Sequence, residues 1–195
     1  YLLTRTHPIQ PGEVVLVQAA AGGMGLYLSQ WAKALGATVV GTVSTPEKAE
    51  LAKTHGCDHV IDYTREDFAA RIKDLTNGRG CDVIYDGVGK KTFLGSLDAL
   101  AILGHMVSYG GASGPVDEIK MSDLAAKSLN LSRPSLYHHT DRPEDLQSLA
   151  SAVFDAVGKG WLIPEVRQTY PLKDAAQAHA DLEARRTTGA TVLVP

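Results

Sequence analysis

The strongest constraint on this chain is a regular alternation of strand-like and helical segments that runs almost from end to end. Residues 14–17 form a continuous apolar run, which is typical of a strand buried on both faces of a parallel sheet. A helical pattern then runs from Met24 to Leu35 and ends at Gly36. The order repeats, with further strands predicted at residues 38–43, 59–61, 83–85, 105–109 and 129–132, and further helices at 46–55, 64–76, 91–102 and after 141–144. Such alternation predicts an α/β fold, a Rossmann-type doubly wound parallel sheet.

Helix-start signals and a changed pattern at the end complete this outline. Ser44 or Thr45 is suited to cap the second helix, and the pair Thr64 and Asp67 has capping-box spacing. The pair Asp141 and Glu144 has the same spacing. From Trp161 onward we expect a β-α-β tail, with a strand at residues 166–170, a helix at 172–186 and a strand at 190–194.

The composition excludes several classes of protein. The 195 residues are 44% hydrophobic and carry a net charge of −3, whereas a nucleic-acid-binding protein should show a basic excess on one face. We find no apolar run approaching the roughly 20 residues that span a bilayer, and no signal peptide. The only cysteines, Cys57 and Cys81, fit a reducing, cytoplasmic compartment, and with scattered histidines they predict no metal site. Because the chain opens at Tyr1 rather than Met, we expect a fragment whose upstream part is missing.

A glycine cluster after the first strand is the clearest functional signal. Gly22, Gly23, Met24 and Gly25 lie between the first strand and the first helix, where a dinucleotide-binding fold places its phosphate turn. Helix N–H groups and the helix dipole favour a pyrophosphate there. The first glycine of the usual G-x-G-x-x-G pattern is Ala20 here, so the motif alone is imperfect and a tight strand-helix turn is the alternative. Its place in a strand, turn, helix and strand series favours nucleotide binding.

The end of the second strand indicates which dinucleotide is bound. An NAD site places a carboxylate there for the ribose 2′-hydroxyl, and this strand end has none. Ser44 and Lys48 are able to donate to a 2′-phosphate, although Lys48 also reads as a solvated helix residue. Glu47 opposes this view, unless it serves the helix dipole. The pattern favours NADPH over NADH.

Three other strand ends are candidates, because ligands of open α/β sheets bind at the carboxyl ends of strands. Tyr63 follows the third strand, Gly87 and Gly89 follow the fourth, and Tyr109 and Gly110 follow the fifth. We expect these residues beside the adenosine, the ribose and the nicotinamide, respectively. Taken singly, each of these segments is more often an ordinary turn.

The run AAAGGMGLYLSQWAKALG at residues 19–36 resembles the zinc-independent, zeta-crystallin-like quinone oxidoreductases of the medium-chain dehydrogenase/reductase superfamily. Further similar segments follow in the same order at residues 41–48, 60–63, 83–89, 107–110, 132–136, 170–175 and 185–195. The resemblance implies an NADPH-dependent reductase that passes hydride to a quinone or a conjugated carbonyl compound without zinc. It also implies that Arg133, before Pro-Ser-Leu, contacts the cofactor, and it names no catalytic residue in this chain.

The resemblance further implies a division of the chain. Residues 1–10 would be the end of a connecting segment, residues 11–160 the dinucleotide-binding domain, and residues 161–195 a tail that belongs to a missing GroES-like catalytic domain. We therefore expect orphaned apolar surface on the tail, cofactor binding without assured turnover, and a homodimer joined at a sheet edge. The alternatives are an enoyl or alkenal reductase of the same superfamily and a non-catalytic nucleotide- or RNA-binding module. A methyltransferase is a more distant one.

Overall fold

The molecule is built on one six-stranded, wholly parallel sheet, seen in a computed structural model that describes residues 1–195. The strand order is β3-β2-β1-β4-β5-β6, so the order reverses between β1 and β4. The strands are β1 Val14–Val17, β2 Thr38–Val43, β3 His59–Asp62, β4 Cys81–Asp86, β5 Leu100–Ser108 and β6 Asn130–Ser132. This order confirms the predicted Rossmann-type doubly wound sheet. From β1 the chain builds outward through β2 to β3, and it then returns to build outward through β4 and β5 to β6 on the other side.

Helices connect the strands and cover the sheet. They are α1 Gly23–Ala34, α2 Pro46–Thr54, α3 Phe68–Leu75, α4 Phe93–Ala99, α5 Met121–Ala125, α6 Leu136–His139 and α7 Pro143–Gly158. No helical pattern in the sequence predicted the short helices α5 and α6. None of these helices combines the length with the apolar composition that a membrane-spanning helix requires.

The core has one layer on each sheet face. Val15, Val17 and Tyr85 belong to a buried cluster on one face, and Leu16, Ile84 and Met106 belong to a cluster on the other. Alternate residues of a strand point to opposite faces, so a strand covered on both sides reads as an unbroken apolar run. Full burial of each large apolar side chain stabilises the fold by about 1.5–3 kcal/mol.

The first residues of the chain form part of this core. A single π-helical turn spans Leu2–Thr6, and both Leu2 and Leu3 are buried in the cluster that contains Tyr85. The Tyr85 hydroxyl donates to the carbonyl oxygens of Leu2 and His7, each at 3.3 Å. The amino-terminal segment is therefore packed against the sheet.

The fifth strand begins earlier than predicted. We expected a helix to residue 102 and a strand from 105, whereas α4 ends at Ala99 and β5 begins at Leu100. The Lys127 ammonium donates to the carbonyl oxygens of Asp98 and Leu100, both at 2.7 Å, and so ends the helix with a contact from a distant residue. Leu103 has a left-handed φ of 64°, which makes the start of this strand irregular.

Two predicted capping boxes are wrong in detail. The N-cap of α3 is Asp67, whose carboxylate accepts from the amides of Ala69 and Ala70, while Thr64 bonds to Asp62 instead. Helix α7 starts after Arg142 without a side-chain cap. By contrast, Thr45 caps α2 as expected.

The tail forms a second, two-stranded parallel sheet. Strands β7 Val166–Pro171 and β8 Ala190–Val194 are joined by a 3-10 turn at Leu172–Asp174 and by helix α8 Ala175–Glu183. This arrangement confirms the β-α-β prediction, with a shorter helix than expected. Several apolar tail side chains are exposed, among them Ile163, Val166, Leu172 and Leu182.

Candidate functional site

The turn between β1 and α1 presents an uncapped helix N-terminus at the carboxyl edge of the sheet. Gly22 is the N-cap of α1, and no side chain bonds to the helix start. Ala19 takes a left-handed φ of 55°, and its amide donates to the Thr42 hydroxyl at 3.1 Å. The open N–H groups of the first turn and the positive end of the helix dipole are suited to an anion.

The turn and the helix are in very close contact at Gly25. A Cβ placed on this residue would lie 2.7 Å from both the carbonyl carbon and the oxygen of Ala20. Ala20 in turn faces Gly41 of β2, where an added Cβ would lie 2.6 Å from the Ala20 methyl. The alanine that breaks the usual glycine pattern is therefore accommodated because β2 has a glycine opposite it. Met24, beside Gly25, is 48% exposed.

Residues after β2 and β3 lie side by side. The Tyr63 amide donates to the Val43 carbonyl at 3.1 Å, which places Tyr63 beside the end of β2, next to half-buried Ser44. The Lys48 ammonium donates to the Arg185 carbonyl of the tail at 2.8 Å, so Lys48 is not simply solvated. The backbone N–H of Glu47 itself and the Thr45 hydroxyl hold the pKa of Glu47 below its usual value, as expected of a carboxylate at a helix start.

The ends of β4 and β5 interlock through backbone atoms. A Cβ on Gly110 would lie 2.6 Å from the Gly87 carbonyl oxygen, and a Cβ on Gly87 would lie 2.9 Å from the Tyr109 ring. Gly89 has a φ of +85°, and a Cβ on this residue would lie 2.8 Å from the Gly114 carbonyl oxygen. Burial and the nearby Asp86 carboxylate raise the pKa of Tyr109, which keeps its phenol neutral.

A buried network of polar side chains links the end of β2 to the end of β4, and no pattern in the sequence predicted it. The Thr42 hydroxyl donates to Gln18 at 2.6 Å, and the Gln18 amide donates to Ser96 at 3.1 Å. Ser96 donates to the Asp86 carboxylate at 3.2 Å. Asp86 also accepts from the amides of Val88 and Gly89 and from the Thr92 hydroxyl. The only sequence signal was a lone acid at the end of an apolar strand.

Arg133 lies beyond the end of β6, at a polar cavity. Its guanidinium donates to the Ser108 carbonyl at 2.9 Å and so ties β6 to β5. The cavity has a volume of about 340 Å³ and is lined by Thr6, Ser132, Arg133, Pro134 and His139. The Thr6 hydroxyl is buried without a hydrogen-bond partner.

The tail approaches the turn from outside. The Gly189 amide donates to the Ala21 carbonyl at 3.0 Å, and Gly189 forms an isolated parallel bridge with Gly22. The Ile163 amide donates to the Gln30 side chain of α1 at 2.8 Å. These contacts hold the tail against the start of α1.

The predicted residues thus lie in two groups along one edge of the sheet. Gly22, Gly23, Met24, Gly25, Ser44, Lys48 and Tyr63 lie on the β1–β3 side, whereas Gly87, Gly89, Tyr109, Gly110 and Arg133 lie on the β4–β6 side. The two sides meet where the strand order reverses, which is where open α/β sheets bind ligands.

No cluster of three or more His, Cys, Asp or Glu side chains is placed to hold a metal ion. Burial raises the pKa of Cys57 to about 11 and that of Cys81 to about 12, so both thiols stay protonated.

Comparisons with known proteins agree with this geometry. Residues 23–159 match the zinc-binding dehydrogenase family. The chain is 49% identical over 196 residues to a quinone oxidoreductase of Pseudomonas aeruginosa and 46% identical to a 2-haloacrylate reductase of a Burkholderia species, covering 100% of this chain and 60% and 59% of those relatives. It superposes on the structure of Escherichia coli quinone oxidoreductase complexed with NADPH with a TM-score of 0.95 and 44% identity, covering 100% of this chain and 61% of that one. The chain therefore spans about 60% of the length of these relatives.

The parallel sheet with its order reversal, the uncapped turn at Gly22 and the family match lead to one conclusion: this chain belongs to the zinc-binding dehydrogenase family.

Proposed function

We propose that this chain is the NADPH-binding part of a reductase that transfers hydride to a quinone. The observation that carries the proposal is the set of close backbone approaches along one sheet edge, at Gly25, at Gly87 and at Gly110. They leave the turn and the two loops without side chains where an extended dinucleotide needs to lie against the backbone. The relatives named above as quinone oxidoreductases, one of them solved with NADPH, support this assignment.

Residues of this chain would hold each part of the cofactor. The N–H groups of Gly23, Met24 and Gly25 would bind the pyrophosphate, while the Gly22 N–H donates to the Ala19 carbonyl at 2.9 Å and shapes the turn. Ser44 and Lys48 would bind the 2′-phosphate, and Tyr63 would lie against the adenosine. Asp62, the nearest acid to the end of β2, bonds through its carboxylate to Thr64 at 2.6 Å. Asp62 belongs to β3, and β2 itself ends without the carboxylate that an NAD site offers to the ribose 2′-hydroxyl, which favours NADPH.

The other half of the edge would orient the reactive ring. Gly89, Tyr109, Gly110 and Arg133 would lie along the ribose and the nicotinamide, and the network around Asp86 would keep their loops in place. When bound, NADPH supplies the hydride, and the contribution of the protein is to hold donor and acceptor in register. We propose that no zinc takes part, because a quinone carbonyl accepts hydride readily without a Lewis acid to polarise it.

Calorimetric titration with NADPH and NADH tests the cofactor assignment. Replacing Lys48 with Ala removes one charged contact to the 2′-phosphate, so we expect NADPH affinity to fall by about tenfold to a hundredfold while NADH affinity is unchanged. Lys53→Ala on the same helix is the matched control, since Lys53 pairs with Glu50 at 2.8 Å. If Lys48→Ala lowered the affinities for NADPH and NADH equally, Lys48 would not contact the 2′-phosphate.

A second substrate class is favoured by the relative named 2-haloacrylate reductase, whose name implies a conjugated carbon–carbon double bond. Following NADPH absorbance with p-benzoquinone and with 2-chloroacrylate compares the two. Faster oxidation with chloroacrylate would replace the quinone in our proposal.

We also propose the wider organisation of the protein. Residues 161–195 would complete a catalytic part formed with sequence outside this chain, which explains their exposed apolar side chains. β6 is an open sheet edge, and Ile102 of β5 is 76% exposed, so we propose a homodimer joined at this edge. We also propose a cytoplasmic location, since the two buried free cysteines fit a reducing compartment. A monomer by light scattering at micromolar concentration would contradict the dimer.

A further inference from the structure

Four polar side chains form a continuous line beneath the polar cavity. Nε2 of His7 lies 3.2 Å from Oε1 of Glu13, and Nδ1 of His7 lies 3.1 Å from Nδ1 of His105. Nε2 of His105 lies 2.8 Å from Oγ of Ser132. The two imidazole rings meet edge to face, with centroids 5.2 Å apart. None of these residues belongs to the cofactor contacts proposed above.

With neutral rings, these contacts allow one arrangement of protons. A carboxylate only accepts, so His7 carries its proton on Nε2 and presents a bare Nδ1 to His105. His105 must then carry its proton on Nδ1, which leaves its Nε2 to accept from the Ser132 hydroxyl. Every donor in the line therefore points away from the cavity and toward Glu13.

One added proton reverses the last bond of this line. With a proton on each nitrogen of His105, Nε2 donates to Ser132 Oγ, and the serine hydroxyl proton becomes free to point elsewhere. A second added proton would set two N–H groups against each other across the 3.1 Å contact between the two Nδ1 atoms. The pair therefore stores one proton.

The surroundings of the pair agree with a single stored proton. Burial, and then the neighbouring His7, lower the pKa of His105. Glu13 faces His7 directly, and the Asp82 carboxylate, which is paired with Arg79 at 2.6 Å, lies near enough to His7 for its own pKa to be lowered by that ring. His105 therefore gives up its proton readily, and two acids face the other end of the pair.

The line joins two different surroundings. Ser132 and its neighbour Arg133 line the cavity at the carboxyl end of the sheet. Glu13 directly precedes β1, at the opposite end of the strands, and remains partly exposed with 19% of its side chain accessible. A proton held by the pair therefore reaches the cavity through Ser132, while Glu13 fixes the orientation of the line from its other end.

We propose that Glu13, His7, His105 and Ser132 form a proton relay that protonates the substrate oxygen in the cavity beside Arg133. The proposal rests on the proposed reductase function. Hydride addition to a quinone forms one bond to hydrogen, uses the electron pair of the hydride, and leaves a hydroquinone monoanion. The Ser132 proton then passes to this anion and the His105 Nε2 proton passes to Ser132. The pair recovers its proton from solvent in the cavity, which protonates the Ser132 oxygen while the Ser132 hydroxyl proton returns to His105 Nε2. In this step Ser132 is the catalytic residue, and the other three are positioning and relay residues.

Nuclear magnetic resonance of the ¹⁵N-histidine-labelled chain, titrated with acid, tests the line directly. We expect the nitrogens of His7 and His105 to report fixed tautomers and to take up one shared proton. Glu13→Gln and Ser132→Ala should each shift the His105 nitrogens, although Glu13 does not touch that ring. Exposed His179 is the internal reference, and Glu50→Gln is the matched control. If the two rings titrate independently, or if Glu13→Gln leaves the chemical shifts of the His105 nitrogens unchanged, the relay is overturned.

The kinetic arm uses the same variants with NADPH and p-benzoquinone. We expect Ser132→Ala and Glu13→Gln to lower the rate of NADPH oxidation at neutral pH by at least tenfold and to remove its dependence on protonation of the pair, while NADPH affinity by calorimetry is unchanged. An unaltered pH profile in both variants overturns the relay even if the rings are coupled. Failure of the unsubstituted chain to bind NADPH would instead overturn the proposed function. The acid titration of the labelled histidines would still test the relay in that case.

Discussion

Adding one methyl group at Gly25 tests how closely the helix sits on the phosphate turn. Alanine is the better helix former by about 1 kcal/mol, so Gly25→Ala would be stabilising if α1 had free space there. The added Cβ would instead lie 2.7 Å from the Ala20 carbonyl carbon and oxygen. These are backbone atoms of a buried turn, and they are unable to rotate away as a flexible side chain would.

The net effect follows from these two opposed contributions. Overpacking of this kind costs about 1–3 kcal/mol, and contact with backbone belongs at the upper end. We therefore expect Gly25→Ala to lower the free energy of unfolding by about 1–2 kcal/mol after the helix propensity is subtracted. With an m-value of about 2.5 kcal/mol per molar, the urea midpoint should fall by about 0.4–0.8 M. NADPH affinity should fall as well, because the helix N-terminus moves away from the turn.

Gly158→Ala is the matched control for this measurement. Gly158 is also helical, at the end of α7, and nothing lies within 4 Å of a Cβ built on it. Its replacement should raise the midpoint or leave it unchanged. If circular dichroism in urea gave Gly25→Ala the same midpoint as Gly158→Ala, the close contact between α1 and the turn would be refuted.

Two further predictions concern the polar groups of the sheet. Asp86→Ala leaves the amides of Val88 and Gly89 and two hydroxyls without their buried acceptor, so the free energy of unfolding should fall by about 2–5 kcal/mol; a loss under about 1 kcal/mol in urea unfolding would contradict this. Burial holds the pKa of folded His105 below its ordinary value of 6.5, so the unfolded chain binds the proton more readily. Stability should therefore be fully present above pH 6.5 and decline as the pH falls through that value. His105→Gln should flatten the decline in thermal unfolding followed from pH 7.5 to 5.5, and an unchanged slope would refute the assignment.

The fold was predictable from local patterns because parallel strands buried on both faces leave an unmistakable apolar signal. The runs around Leu16, Val40 and Ile84 each read as strands, and the helices between them end at glycines or begin at caps. Boundaries set by distant contacts were missed. Lys127 ends α4 from about thirty residues away along the chain, and no local pattern reports such a bond.

The candidate site divides in the same way. The sequence alone determined which strand ends bear glycines, where an acid is missing after β2, and hence the family and the edge of the sheet that matters. Only the tertiary structure decided that Lys48 meets the Arg185 carbonyl, that Asp86 and Thr42 belong to one network, and that His7 lies against His105. A glycine affects the backbone at its own position in the chain, so the sequence alone reveals it. A hydrogen bond between side chains 98 residues apart exists only once the sheet has brought its strands together.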